Sequence, residues 1–426
     1  MKKTISAILI LTLCLSLWAC SGDIVPNQQN TEPKVTIDPN AEPEIVMNPE
    51  SVKQEPLDTF SEQPVCYFRT TEGTNCGVPG IVSVEYLDAN ENVLHTFTPQ
   101  LPGGTLSAGG FAGGETHVTE SVDNRGLSYA IDTETGKLLS CEHFEGNGRD
   151  SRCTRIDLYD DDGQVAASVE VSKEGNDLRV DHTVDQRGNS WSILYDQFYV
   201  YETGNGIASA YSVRTLYFKN QELVAEILGD PVTGLNDGMM FAIDRKVEIK
   251  NGRGEVIGIY EASGENSLVG AGVPIDSGTV SVEEQRFDHR YILREEIDPV
   301  TGAKVSKETF DYSEDGTLIQ EETTRWTGED IVSYHCIRKY DPSGTLISEE
   351  TEFWGGKVVT TFDATYSAIY SKAEFYDAEG VLQKTVEPVD GSVGFILLFG
   401  EEDRCVIEFY DKDRETVSYD SYRPEI

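Results

Sequence analysis

The heptapeptide YDPSGTL, Tyr340–Leu346, decides how the rest of the chain is read. Asp341 opens a turn, Pro342 presets φ at the second position, and Gly344 supplies a positive φ at the fourth. That spacing predicts a type I turn closed by a G1 bulge, the usual three-residue hairpin loop. Asp341 then faces Thr345 and Tyr340 faces Leu346. An aromatic side chain opposite an aliphatic one stabilises a hairpin by roughly 0.2–1 kcal/mol. Working outward, the phrase recurs as YSEDGTL (Tyr312–Leu318), YDAEGVL (Tyr376–Leu382) and YDDDGQV (Tyr159–Val165), and in worn form as YDKDRET (Tyr410–Thr416). Looser relatives are VDNRG (Val122–Gly126), VDQRG (Val184–Gly188) and KNGRGEV (Lys250–Val256).

Two copies match beyond the turn. YSEDGTLIQEETTRW (Tyr312–Trp326) aligns without a gap on YDPSGTLISEETEFW (Tyr340–Trp354), at an offset of 28 residues. One hairpin per repeat fits that offset, with TGED (Thr327–Asp330) and GGK (Gly355–Lys357) as the opposite turns. Elsewhere Gly and Asp punctuate short runs rich in β-branched and aromatic residues, such as YSVRTLYFKN, GFILLFG and CVIEFYD. Helical periodicity is hard to find. The expected fold is all-β: an antiparallel meander of hairpin repeats, forming an open or rolled sheet. Strand parity puts Tyr312, Leu318, Trp326, Tyr334, Cys336, Tyr340, Leu346 and Trp354 on one face. Glu321, Arg325, Lys339 and Glu349 then form an opposite, charged face, on which Ile319, Ile337 and Ile347 are anomalies.

The N-terminus addresses the chain. Lys2 and Lys3 precede an apolar run, Ile5–Trp18, of signal-peptide length. It ends in LWAC, Leu17–Cys20, which resembles the lipobox of bacterial lipoproteins. The resemblance implies removal of residues 1–19, lipidation of Cys20, and anchoring to a membrane on the extracytoplasmic side of the cell envelope. Residues 20–63, rich in Pro, Asn, Gln and acids, read as a disordered tether. The remainder divides into an irregular β-hairpin domain over 64–280 and a β-hairpin repeat domain over 281–426. Tyr-Asp-x-x-Gly-x-Leu at Tyr340–Leu346 and Tyr376–Leu382, with Tyr312, Gly316 and Leu318, resembles YD (RHS-type) repeats and the β-hairpin repeats of antitoxin-like bacterial proteins. That resemblance implies long antiparallel sheets serving as shells, arrays or binding surfaces.

Loss of Lys2 and Lys3 takes the net charge from −41 to −43. Such a chain repels nucleic acid and anionic membrane surfaces. Eight cysteines are present. With Cys14 removed and Cys20 lipidated, Cys66, Cys76, Cys141, Cys153, Cys336 and Cys405 remain. An even number in an exported protein predicts disulfides, with fifteen pairings allowed in principle. Proximity favours Cys66–Cys76 and Cys141–Cys153, leaving Cys336–Cys405. No CxxC and few histidines argue against zinc.

Catalytic constellations are sparse. The histidines, His95, His117, His143, His182, His289 and His335, accompany no GxSxG. The glycine-rich stretch Pro102–His117 has no basic residue to hold a phosphate, and reads as a flexible loop. Asp157, Asp160, Asp161 and Asp162, and Asp411 with Asp413, are dense enough to consider calcium but lack the full DxDxDG loop. Nothing points to a cofactor. The expected function is a non-catalytic binding or display lipoprotein with a protein or glycan ligand, for which Trp326 and Trp354 are the candidate contact residues. The enzymatic alternative is a carbohydrate-active hydrolase using paired carboxylates.

Overall fold

A computed structural model describes residues 37–56, 66–112, 114–146, 151–171, 177–202, 208–231, 244–286, 288–327, 331–353, 356–362, 369–399 and 405–423. Its turns explain its strands. At Asp341 the carboxylate Oδ1 accepts from the backbone N–H of Ser343 (2.8 Å) and Thr345 (2.9 Å). Gly344 N–H donates to the Asp341 carbonyl, and Asp341 N–H to the Thr345 carbonyl, each at 2.9 Å. Gly344 has φ +82°. The side-chain oxygens of Asp88, Asp160, Asp185, Asn251 and Asp411 accept from the same two positions, two and four residues on. Ser313 Oγ accepts from Thr317 N–H in the same way. The expected partners meet: Tyr340 with Leu346, Tyr312 with Leu318, Tyr376 with Leu382, Tyr159 with Val165 and Tyr410 with Thr416. VDNRG differs. Val122 pairs directly with Arg125, and Asp123 takes φ +46°, so its loop holds two residues.

The described residues are nearly all strand, and the sheets are antiparallel and open. Beside the strands stands a single 3-10 turn, Pro49–Ser51, within the described residues. Two compact units form, one ending at Leu223 and the other beginning at Val224. The expected boundary at 280/281 therefore divides a continuous run of hairpins. In the first unit an eleven-stranded sheet follows the chain from Ile45–Met47 to Val165–Glu170. A ladder of Leu178–Val184, Ser190–Glu202 and Ala208–Lys219 packs on it. Ile156, Leu158 and Val169 of the sheet meet Leu178, Leu194, Leu216 and Phe218 of the ladder. The sheet's other face buries Phe68, Val84, Tyr86, Phe97, Val118 and Ile131. The second unit is a meander closing on Thr416–Tyr422, with its core at Val358, Phe375, Phe395, Ile407 and Phe409.

One device appears in both units. A strand pairs with a short hairpin partner, the chain leaves the sheet, and it returns to pair with the same strand. Val93–Phe97 and Thr105–Ala112 do this on Val78–Asp88. Val256–Glu261 and Ser267–Gly272 do it on Asp244–Asn251, and Leu382–Val386 and Gly394–Phe399 on Tyr370–Tyr376. Buried glutamates pin the first two excursions. Glu120 accepts from Gln100 N–H (2.8 Å) and Leu101 N–H (2.7 Å), and Glu284 accepts from Ser263 N–H (2.6 Å). These bonds give the two buried carboxylates backbone N–H partners in place of water.

Three expectations need correction. First, at the repeat turns one residue is inserted just past the Tyr–Leu pair, so face parity flips across them, whereas the Asp185 turn inserts none. Phe310 pairs with Glu321, Arg325 with Tyr334, and Arg338 with both Glu321 and Glu349. Glu321, Arg325 and Glu349 thus share the face of Tyr312, Tyr334, Cys336 and Tyr340. Trp326 lies on the opposite face, with Glu322 and Lys339. Ile319 and Ile347 are the inserted bulge residues, which explains their exposure of 40% and 42%. Second, part of the expected tether is sheet. Ile45–Met47 and Lys53–Pro56 both pair with Cys66–Asn75, too briefly to show a period in sequence. Third, the six cysteines are free thiols. Cys66 opens a strand and Cys76 stands in the turn just past its far end, ten residues on and so roughly 30 Å away, well beyond a disulfide's reach. Cys141 pairs with Asp157 and Cys153 with Phe144, which offsets the two thiols along their hairpin. Cys336 and Cys405 lie on separate strands, and both thiols are buried.

Gly344→Ala is expected to lower the unfolding free energy by about 1 kcal/mol, the cost of a left-handed alanine, because the new Cβ would have space. Gly356→Ala should cost clearly more, since its Cβ would meet the Tyr376 carbonyl oxygen at 2.4 Å. Urea titration of the two variants measures both, and equal losses would contradict this reading of the turns.

Candidate functional site

Two clusters of polar side chains stand out, one in each unit. In the second unit the parity flip gathers Glu322, Trp326 and His335 on one face. His335 pairs across the ladder with Thr324, which places it diagonally from Trp326. Its Nε2 lies 3.0 Å from Glu322 and its Nδ1 3.2 Å from Glu352. Burial opposes protonation of this imidazole, but the two carboxylates outweigh it and raise the pKa. Lys357 pairs with Glu350 at 2.8 Å and lies 5.6 Å over the Tyr376 ring. His335, Glu352, Lys357 and the turn Asp377–Gly380 border an open cleft of about 580 Å³. Val332, the cross-strand partner of Trp326, is part of its wall. Trp326 is half-buried. Trp354 lies outside the described residues.

The reverse face is closed by its own bonds. Arg338 bridges Glu349 (2.8 Å) and Glu321 (3.3 Å), and Tyr340 Oη donates to Glu321 (2.9 Å). Arg325 stacks on Tyr334 at 5.5 Å. These groups satisfy one another and pack the sheet.

The first unit holds the second cluster, at the seam between sheet and ladder. Glu115, His117, Ser128, Asp132, Ser140 and Glu142 project from three adjacent strands towards the ladder. His182 meets them, with Nε2 3.0 Å from Ser140 Oγ and Nδ1 2.9 Å from Ser192 Oγ. Burial pushes the Glu115 carboxyl up to about 7, helped by Asp181 and Asp132. Glu142 also rises to about 7, through burial first, then Asp177 and Glu115. His182 falls to about 4 because it is buried and faces His117, and burial lowers His117 as well. The seam therefore holds neutral imidazoles beside two acids poised near neutrality. Ser140 is fully buried and His182 bonds a second serine, so this is no hydrolytic triad.

Other candidates resolve into structure. His143 bonds Asp157 at 2.7 Å, and Cys141 shares their sheet face. Burial pushes that thiol up to about 12, which makes it a poor nucleophile. His95 bonds the Gly136 carbonyl, and His289 occupies a left-handed turn position. The glycine-rich stretch is a hairpin, Thr105–Ala112 with Glu115–Val122, and not a loop. Asp160 and Asp411 cap turns, and Asp161 pairs with Lys137 at 2.7 Å. Among the described residues no three His, Cys, Asp or Glu side chains converge as metal ligands.

No protein-family model and no curated protein matches the chain. Similar solved structures include a Bacteroides caccae protein of unknown function, 9% identical, covering 72% of this chain and 90% of that one at a TM-score of 0.13. An uncharacterized Listeria monocytogenes protein is 10% identical, covering 82% and 97%, at 0.17. The Dos1 propeller is 10% identical, covering 80% and 71%, at 0.13. At these scores the likenesses carry no argument about fold or activity.

The seam makes stability depend on pH in a definite sense. Glu115 and Glu142 hold protons more tightly folded than unfolded, so their contribution is full at low pH and is lost as pH rises through about 7. His117 and His182, with lowered pKa values, lose theirs as pH falls below 6.5. The melting temperature is expected to drop between about pH 6.5 and pH 8, and the Glu115→Gln, Glu142→Gln double variant to abolish that drop. Parallel wild-type and variant curves from differential scanning calorimetry would count against it.

Proposed function

We propose that this is a lipid-anchored, extracytoplasmic binding protein that presents one face of its second-unit meander to a glycan or protein partner. The carrying observation is the cleft face, where Trp326 stands beside His335, Glu322 and Glu352 on a sheet whose reverse side is occupied by its own ion pairs. An aromatic plane with adjacent carboxylate, imidazole and ammonium groups supplies stacking together with hydrogen-bond donors and acceptors. Sugar rings and exposed peptide segments are recognised by that chemistry. The Leu17–Cys20 stretch supports lipidation at Cys20 and attachment to the envelope. The acidic surface supports a partner other than nucleic acid.

A second reading, a carbohydrate-active hydrolase, is favoured by Glu115 and Glu142. Both carboxyls are raised to about 7, the range suited to a general acid. Hydrolysis of a polysaccharide lost on Glu142→Gln would choose it over display.

Two measurements test the leading reading. Cys20→Ser should move the protein from the membrane fraction to the soluble one, and continued extraction only by detergent would contradict the anchor. On a glycan array Trp326→Ala should weaken binding about tenfold, the equivalent of one lost stacking contact. A glycan signal indifferent to that substitution removes the tryptophan site.

A further inference from the structure

The excursions that leave a strand and return to it share one spacing. Ile81, Asp244 and Tyr370 are the residues to which the chain returns, pairing with Leu106, Val269 and Phe395. The stretches between, 81–106, 244–269 and 370–395, are equal in length and align without a gap at offsets of 163 and 126 residues. Their turns coincide. Asp88, Asn251 and Asp377 open them, and Glu91, Gly254 and Gly380 take the left-handed φ, at +64°, +78° and +79°. Leu87–Val93, Lys250–Val256 and Tyr376–Leu382 are the closing pairs. Their cores coincide too. Val84, Val247 and Ala373 are buried, as are Tyr86, Ile249 and Phe375.

The match continues past the return. The next strand sets Glu120, Glu284 and Phe409 opposite Leu106, Val269 and Phe395. Its neighbour sets Tyr129, Glu295 and Asp420 opposite Val118, Val282 and Ile407. The short hairpin strand folds over to that last position in every case. The Phe97 ring lies 5.0 Å from that of Tyr129, Tyr260 Oη donates to Glu295 (2.9 Å), and Lys384 Nζ donates to Asp420 (2.7 Å). In the first two cases a further strand follows the same turn. IDTETGK (Ile131–Lys137) and IDPVTGA (Ile297–Ala303) hold it with Asp132 accepting from Thr135 N–H (2.6 Å) and Asp298 from Thr301 N–H (2.8 Å). A Cβ on Gly136 would meet Leu94, and one on Gly302 would meet Ile257, the residue in Leu94's place. The same loop carbonyls are held as well. Asn75 Nδ2 donates to those of Leu101 and Gly104, and Arg245 to those of Gly264 and Ser267.

We infer that the chain carries three copies of one five-stranded module, entered near Ile81, Asp244 and Tyr370. Turn chemistry alone makes hairpins recur. It does not fix the length of an excursion, the place of its return or the position that the folded-over strand touches. Between copies the side chains changed while the contact stayed: an aromatic pair in the first, a hydroxyl–carboxylate bond in the second, an ion pair in the third. The copies also sort the candidate residues. Glu142 opposes Ser128, and its counterpart Glu308 opposes Arg294, which lies 3.8 Å from it. Glu142 is therefore a position of the shared frame, and the first copy has a serine where the second has the cation. His335, Glu352 and Lys357 lie in strands between Val332 and Phe362, outside all three copies. Function is argued from what the frame does not need, which favours the cleft over the seam. The three copies stand or fall without the cleft.

Exchanging the closing contact between copies tests this in the full chain. Gly258 and Tyr260 hold the places of Lys384 and Val386. Tyr260→Val leaves the buried Glu295 without its hydroxyl donor. Gly258→Lys puts a Cβ 2.8 Å from the Tyr260 ring. Each alone should lower the melting temperature by about 3 °C or more. Together they write the third copy's contact into the second. The ring that obstructs position 258 is gone, and the new ammonium meets Glu295 as Lys384 meets Asp420. The combined variant should therefore melt above both single ones. The reciprocal exchange, Lys384→Gly with Val386→Tyr, should recover over its own single variants in the same way. Calorimetry reads both exchanges, and recovery in either carries the inference. If in both exchanges the combined variant is no more stable than the better of its singles, the copies are not equivalent and the inference is overturned.

Discussion

A side-chain oxygen that accepts two backbone N–H groups at once organises this chain. At Asp88, Asp160, Asp185, Asn251, Asp341 and Asp411 it does the same work, holding a three-residue loop whose last residue takes a left-handed φ. The bond is local, so each hairpin can close before the rest of the sheet exists. At all of them but Asp185 one residue is also inserted into the outgoing strand just past the turn. That insertion sets register, and register decides which side chains face the core. Part of the chain's high aspartate content is therefore turn chemistry.

Much of this could be read from residues alone. Tyr312, Tyr340 and Tyr376 meet their leucines because Asp and Gly stand at fixed offsets between them. Other turns of the same form were hidden. DANEN at Asp88–Asn92 and RFDHR at Arg286–Arg290 put Glu91 (φ +64°) and His289 (φ +65°) where glycine is usual. Counting parity across a bulge also failed, because alternation holds within a strand and the residue inserted past the repeat turns resets it. The strands Ile45–Met47 and Lys53–Pro56 are three and four residues long, shorter than any pattern can reveal. The paired excursions need long-range contacts that no local signal encodes.

The candidate sites were legible to a lesser degree. Trp326 stands out by its chemistry, but simple parity gives it the wrong neighbours. His335 looked isolated, because Glu322 and Glu352 reach it from the two flanking strands. Glu115, Glu142 and His182 come together only when the ladder covers the sheet, and burial rather than sequence context shifts them. The cysteines misled, since closeness along the chain is no guide once an extended strand separates Cys66 from Cys76. Buried thiols with raised pKa values behave here as small core residues.

The bulged register is the claim on which the assignment of faces, and so of the cleft face of the second unit, depends. Cross-strand proton contacts across Val332–Phe353, measured by NMR on the second unit within the labelled full-length protein, test it most directly. The expected pattern has Tyr340 facing Leu346, with Arg338 facing Glu349 and Cys336 facing Thr351. A pattern with Tyr340 still facing Leu346 but Arg338 facing Ser348 and Cys336 facing Glu350 would mean that no residue is inserted. The aromatic and charged residues would then sort by simple parity, and the account would be wrong.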